Sequence, residues 1–203
     1  MPLSSKELLA ESRARRTYRA FLPDPVDLDV IKDCILTAGT APSGANDQPW
    51  HFCVVTDPAM KARIREEAEK VEKIFYESRI TPEWQADLDK LNLSWEKPFL
   101  TGAPCLIVIF KEFYRMQPDG TQVKNYYVNE SAAIATGLLI NAIRNAGYAS
   151  LTYTPAPPAF LRTLLGRPEG ETPVMVLCVG KPDPAYELPV LTKKSLEEIA
   201  DFI

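Results

Sequence analysis

Residues 37–50 read Thr-Ala-Gly-Thr-Ala-Pro-Ser-Gly-Ala-Asn-Asp-Gln-Pro-Trp, with nothing bulky before Trp50. The run follows an apolar-periodic helix and enters the alternating stretch His51 to Thr56, so it sits at a helix-to-strand junction. Pro42 has no N–H and stiffens the turn. Ser43, Gly44 and Ala45 leave backbone N–H groups unshielded, open to close approach by a flat or anionic ligand. The same composition also suits a plain connecting loop, because Gly, Pro, Asn and Asp are the usual turn formers. Taken alone, the stretch leaves both readings open.

Upstream, Asp27 or Asp29 opens the preceding helix, with Val26, Leu28, Ile31, Cys34, Ile35 and Ala38 near one face. Pro23 and Pro25 separate it from a first helix over Ser4 to Arg16, capped by Ser4 or Ser5 with Glu7 close behind and carrying Leu8 and Leu9. Arginines crowd its end, at Arg13, Arg15, Arg16 and Arg19, beside the hydroxyl of Thr17. Guanidinium forks next to a hydroxyl suit a phosphate dianion through bidentate charge-assisted bonds. Cations also complement the negative C-terminal end of a helix, which is the plain alternative.

Downstream, Asp57-Pro58 starts a long helix through about Arg79, with Met60, Ile64, Ala68, Val71 and Phe75 as its apolar stripe. Glu72 and Tyr76 share a face of that helix, each next to a stripe residue. Thr81-Pro82 leads into a shorter segment, Glu83 to Trp95, followed by Glu96-Lys97-Pro98-Phe99. The span from Glu69 to Leu100 is amphipathic and interrupts a strand-to-strand path. It reads either as a lid or as a solvated helical hairpin packed by its tryptophans.

Pro104 to Phe110 is an almost unbroken apolar run, a buried strand by length and β-branched content. Asp119-Gly120 supplies a turn. Tyr126 to Ala146 predicts a helix that is apolar nearly all round, with Ala132, Ala133, Ala135 and Gly137 permitting close approach, so it belongs in a core or a subunit interface. Ser150 to Thr154 is a short strand ending at Pro155, Ala159 to Leu165 a short helix, and Val174 to Val179 the last strand. Beyond Gly180-Lys181-Pro182 the chain reads as an arm, with Lys193 and Lys194 before a short terminal helix.

The 203 residues fit one domain large enough to bury a core. A net charge of −4 without a long basic run argues against a nucleic-acid partner, since phosphate neutralisation needs clustered cations. No signal-peptide core and no spanning apolar run is present, so a soluble cytoplasmic protein off the membrane is expected. Cys34, Cys53, Cys105 and Cys178 lie far apart in apolar segments without a C-x-x-C pair, which predicts free buried thiols. His51 is the only histidine, too little for a His-rich metal site or a Ser-His-Asp triad, and no metal is expected.

Taken together, Arg15-Arg16-Thr17-Tyr18-Arg19, Ala41-Pro42-Ser43-Gly44-Ala45 with Gln48-Pro49-Trp50, and Val179-Gly180-Lys181-Pro182 resemble the FMN-dependent nitroreductase superfamily in order and spacing. The resemblance implies an α+β, nitroreductase-like fold with a mostly antiparallel central sheet flanked by helices. It implies one FMN-binding domain over residues 1–203, in an intertwined homodimer with FMN at the subunit interface. The small-residue helix and a C-terminal arm at about 182–203 would be dimer elements. Within the superfamily the lid, at about 69–100, is most similar to that of the iodotyrosine deiodinase family, whose Glu-x-x-x-Tyr and Trp-x-Lys correspond to Glu72, Tyr76 and Trp95-Glu96-Lys97.

The implied activity is FMN-dependent reductive dehalogenation of halogenated tyrosine to tyrosine and halide. Electrons would come ultimately from NAD(P)H, with or without a separate flavin reductase. Glu72, Tyr76 and Lys97 would bind the zwitterion, whose ammonium needs a carboxylate and whose carboxylate needs a cation and hydroxyls. Arg15, Arg16, Thr17 and Arg19 would hold the FMN phosphate and its surroundings, Pro42, Ser43 and Gly44 would line the isoalloxazine, and the Ala45 N–H would meet the substrate phenolate. Thr152, Tyr153 and Thr154 would lie beside the flavin, with the Thr154 hydroxyl bonded to N5 as the catalytic contact favouring single-electron steps. Lys193 stands where the family has a late phosphate-binding arginine and is a poorer bidentate partner. The membrane anchor of the vertebrate members is not expected here. Two other functions fit the same residues: a general nitroreductase or quinone reductase using hydride transfer, and a non-catalytic flavoprotein that binds an aromatic amino acid.

Overall fold

The computed structural model describes residues 3–203. In chain order the elements are α1 (Ser5–Ala14), α2 (Leu28–Gly39), β1 (Trp50–Val55), α3 (Pro58–Ser78), α4 (Pro82–Asp89), α5 (Phe99–Gly102), β2 (Cys105–Glu112), β3 (Tyr114–Met116), β4 (Gln122–Lys124), α6 (Val128–Asn145), β5 (Ala149–Tyr153), α7 (Phe160–Leu164) and β6 (Glu171–Gly180). The main sheet runs β1-β2-β6-β5 with every ladder antiparallel, and β3 and β4 form a separate hairpin.

Strand β2 runs through the centre and is covered on both faces, which is why its sequence is a continuous apolar run rather than an alternating one. Leu106, Val108 and Phe110 point into a core with Ile64 and Ala68 of α3, Phe99 and Leu100 of α5, and Leu161 of α7. Cys105, Ile107 and Ile109 point the other way, onto Ile31, Cys34 and Ala38 of α2 and Leu139 and Ile143 of α6. Lys61 is buried in the first half of α3. Its Nζ donates to the Ala103 carbonyl at 2.7 Å, and burial lowers its pKa.

The helix starts follow the expected caps. The Ser4 hydroxyl accepts from the Glu7 N–H at 3.3 Å while Glu7 Oε2 accepts from the Ser4 N–H at 2.7 Å, a full capping box. Asp27 and Asp57 cap α2 and α3. Helix α1 stops at Ala14, so Arg15 and Arg16 lie in extended chain rather than in the helix. That chain passes β5: the Tyr18 N–H donates to the Ser150 carbonyl at 3.4 Å, and Leu22 N–H to the Lys181 carbonyl at 3.0 Å.

Three expectations change. Strand β6 begins at Glu171, ahead of Val174, because its first residues still pair with β2. Helix α6 is buried on one side only, with Ala132, Ala135, Leu139 and Ile143 inside and Ala133, Ile134 and Gly137 exposed on this chain. The terminal helix is absent: residues 196–199 make only a bend and a turn. Leu196 and Ile199 are 55% and 67% exposed, and a short segment without a surface to pack on does not hold a helix. Among the described residues no helix is long and apolar enough to cross a membrane.

Candidate active site

Past Ala68, α3 leaves the core and overhangs the sheet, with Val71 and Phe75 only half-buried. The chain returns through α4 and Trp95 to Lys97 and α5. Phe75 packs edge-on against Trp84 with centroids 4.8 Å apart, and Lys73 lies 5.6 Å over the Trp95 ring, so aromatic contacts hold the overhang together. Glu69 fixes the return. Its Oε1 accepts from Arg65 Nε at 2.7 Å and from the Lys97 N–H at 2.8 Å.

This turns the Lys97 side chain inward. Lys97 Nζ stands 3.1 Å from Glu72 Oε2, with the two side chains 7% and 12% exposed. It also donates to the Ser94 carbonyl and lies 5.3 Å over the Tyr76 ring. The other Glu72 oxygen accepts from the Tyr153 hydroxyl at 2.9 Å. Burial first, and then the Glu72 charge, raise the pKa of both the Tyr76 and Tyr153 phenols, so each stays a donor at neutral pH.

Glu72, Tyr76 and Lys97 line a cavity of about 490 Å³ together with Thr152, Tyr153 and Thr154. Phe75, Trp84, Leu88 and Leu93 give it apolar walls. Two groups of residues that are remote in sequence therefore meet in one pocket. Alternation along β5 separates their roles: Tyr153 is buried with Leu151 on the α3 side, while Thr152 and Thr154 stay exposed. The Tyr153 hydroxyl is directed to the lid through Glu72, from a strand end that lines the same pocket. Sequence reasoning missed that contact and the Glu69 tie, for which the i,i+4 spacing of Arg65 and Glu69 was the only local signal.

Arg15, Arg16 and Thr17 line a second cavity, of about 650 Å³, with Lys193 from the arm. Ser12, Arg13, Leu191, Thr192, Lys194 and Ser195 complete the lining. Arg16 also donates to the Pro189 carbonyl, which ties the arm down beside it. Clustered cations and hydroxyls of this kind are a donor set for a phosphate dianion. Arg19 lies apart from them, in a third cavity of about 590 Å³ between lid and arm, where Lys97, Tyr186 and Pro189 also face it.

The loop of residues 42–45 is somewhere else. Ala45, at φ 50°, sits in a 3-10 turn over Gly44–Asn46, and Ser43 Oγ accepts from the Gln48 N–H at 3.0 Å. Gly44 has to be glycine because a Cβ there would lie 2.7 Å from the Tyr127 ring. The loop leads into β1, one edge of the sheet, whereas Thr152 and Tyr153 belong to β5, the opposite edge, and Thr154 follows directly. Pro42, Ser43, Gly44 and Ala45 thus do not join the lid pocket of their own chain.

Near the start of β1, the ligating atoms of His51, Glu112 and Glu171 lie within 4.8 Å of one another. Arg167 takes both Glu171 oxygens, at 2.8 and 2.5 Å, so one of the three is already held in an ion pair. Burial lowers the His51 pKa against the pull of Glu171.

Residues 12–181 match the nitroreductase family. The chain belongs to the nitroreductase family. This nitroreductase-family protein is 49% identical over 180 residues to the iodotyrosine deiodinase of Haliscomenobacter hydrossis, across 89% of this chain and 81% of that protein. It is 43% identical over 201 residues to the iodotyrosine deiodinase of Nematostella vectensis, across 98% and 76%. Among solved structures it is similar to oxidized iodotyrosine deiodinase bound to FMN and 3-iodo-L-tyrosine, with a TM-score of 0.83 and 30% identity over 96% of this chain and 100% of that one. A BluB-like flavoprotein from Clostridium difficile, 22% identical with a TM-score of 0.74, shares the fold across 97% of this chain and 99% of its own. The expected α+β, nitroreductase-like fold is borne out.

Proposed function

We propose that this chain is an FMN-dependent oxidoreductase that removes halide reductively from halogenated tyrosine, giving tyrosine. The observation that carries the reading is the Glu72 and Lys97 pair, buried with Tyr76 in the pocket that Thr154 also lines. A free amino acid presents both signs of charge at one end, and this pair offers both complements. Relatives named iodotyrosine deiodinase at 49% and 43% identity support the same substrate class.

Arg15, Arg16, Thr17 and Lys193 would hold the FMN phosphate, for which their shared cavity has the right donors. Arg19 would contribute from the adjoining cavity. Thr154, with Thr152 and Tyr153 on the same strand end, would set its hydroxyl against flavin N5. Bound FMN supplies the two electrons, taken ultimately from NAD(P)H directly or through a separate reductase. In the net reaction one carbon–halogen bond breaks, one carbon–hydrogen bond forms with a proton, and halide leaves with the bonding pair. Glu72 would take the substrate ammonium, Lys97 and Tyr76 its carboxylate, and the lid at about 69–100 would exclude water.

Pro42, Ser43, Gly44 and the Ala45 N–H would reach the pocket from a second copy, because in one chain they occupy the opposite sheet edge. A homodimer would also cover Leu8 and Leu9 of α1 and Ile134 of α6, all between 46% and 53% exposed. The arm at about 182–203 would belong to the same interface, all within a single FMN-binding domain. Four free cysteines suit a reducing, cytoplasmic setting.

The test is anaerobic. Reduced flavoprotein is mixed with 3-iodotyrosine, and tyrosine and free iodide are measured. Tight binding without iodide would make it a binding protein, and turnover of nitroarenes alone would make it a general nitroreductase.

A further inference from the structure

We infer that Tyr153 is a positioning residue for the amino-acid end of the substrate, acting through Glu72; the inference rests on the halotyrosine reading above. Its ring is fixed, 8% exposed and edge-on to Phe99 with centroids 5.5 Å apart. Its hydroxyl donates to Glu72 Oε1 at 2.9 Å, while Lys97 Nζ stands 3.1 Å from Oε2. One carboxylate oxygen is thereby tied to the sheet and the other to the returning arm of the lid.

Glu72 needs such an anchor. It lies on the part of α3 beyond Ala68, the last buried residue of that helix, so the backbone alone does not fix the carboxylate. An unanchored glutamate has several rotamers to lose on binding. A carboxylate accepts about four hydrogen bonds, so with Tyr153 and Lys97 each using one, acceptor sites remain for an ammonium. When a zwitterion enters, its carboxylate competes for Lys97, and the ion pair that holds Oε2 is weakened. The Tyr153 hydroxyl then remains as the tie that keeps Glu72 aimed at the ammonium. Thr152 on the strand and Thr154 just past its end place this anchor next to the proposed flavin contact, so the two ends of the substrate are referenced to one strand end.

The test uses FMN-loaded Tyr153→Phe, which keeps the ring against Phe99 and removes only the hydroxyl. The Kd for 3-iodotyrosine is expected to rise roughly tenfold, the usual scale for a bond to a charged group. The Kd for 3-(4-hydroxy-3-iodophenyl)propionate, which has no ammonium, stays the same in both proteins. In a Glu72→Gln background the added Tyr153→Phe change alters 3-iodotyrosine binding by less than about twofold. Equal losses for both ligands would make Tyr153 a general packing residue and overturn the inference, as would an unchanged Kd for 3-iodotyrosine. Wild-type protein that binds neither ligand would remove the dehalogenase reading as well, whereas normal wild-type binding with an unaffected variant removes the role of Tyr153 alone.

Discussion

Lys97 Nζ and Glu72 Oε2 stand 3.1 Å apart, both side chains nearly buried, one on the overhanging half of α3 and the other at the return of the lid. Burying two charges costs desolvation free energy that their attraction does not reliably offset, so such a pair is weak evidence for stability. It fits better as a binding device: the two charges satisfy each other until a zwitterion offers both an ammonium and a carboxylate. The Tyr76 ring beneath Lys97 lets the cation stay in place during the exchange.

Glu72→Gln is therefore expected to weaken 3-iodotyrosine binding by roughly 2–3 kcal/mol, since the substrate ammonium is then desolvated in the pocket without a carboxylate partner. FMN affinity should stay unchanged, because Glu72 lies outside the cavity of Arg15, Arg16 and Lys193. Titration of both ligands against wild type and variant decides this. Equal 3-iodotyrosine affinity would remove the zwitterion argument.

For the phosphate site, Arg15→Ala and Lys193→Ala should each lower FMN affinity roughly tenfold, each losing one charge-assisted contact of about 1.5 kcal/mol. Arg16→Ala should cost more than Arg15→Ala, because Arg16 also holds the arm at Pro189. Riboflavin, which has no phosphate, is the control: its affinity should be the same in wild type and in Arg15→Ala. A parallel loss of riboflavin binding would place these cations elsewhere on the cofactor.

How much of this was readable beforehand depended on range. The Pro104 to Phe110 run and the Met60, Ile64, Ala68 stripe were legible because burial imposes a local pattern, and β2 and α3 appear where that pattern puts them. The arm had a local signal too, but its expected helix did not form, since amphipathicity in Leu196 and Ile199 stabilises nothing without a partner surface. The β3 and β4 strands are three residues each, too short to show alternation. Nothing local joins Glu72 to Lys97 or Tyr153 to Glu72. The first pairing was reachable through resemblance, and the second only through the register of β5 against the core.

The opposite-edge placement of Ala45 and Thr154 gives a prediction about assembly. Gly44→Val would drive a side chain into Tyr127 and disable the loop, and Lys97→Ala would disable the lid. If each site takes its loop from one copy and its lid from the other, mixing the two inactive variants produces hybrid dimers with one intact site. Random pairing then restores about one quarter of the wild-type sites, since half of the dimers are hybrids with one working site of two. Refolded or co-expressed mixtures can be assayed directly for iodide release. No recovery in a mixture shown to contain hybrids would mean that loop and lid act within one chain.

The far end of the sheet allows a test of stability that is independent of function. Glu112 and Glu171 are direct cross-strand partners of like charge, and Arg167 bonds only Glu171. Burial first, and then the Glu171 charge, raise the Glu112 pKa above its ordinary 4.5. A carboxyl whose pKa is higher in the folded state than in the unfolded one favours folding when protonated, and that contribution is lost as the pH rises through the raised value. Glu112→Gln removes the charge and should stabilise the protein at pH 8 by about 0.5–1 kcal/mol, the usual cost of like charges directly opposite on neighbouring strands. For a domain of this size that corresponds to roughly 1–4 °C in Tm. The gain should shrink as the pH falls and vanish near pH 4, where Glu112 in the wild type is protonated in the folded state. Thermal melts of both proteins across that range measure it, and a variant that melts lower than wild type at pH 8 would show that Glu112 is held by a favourable contact of its own.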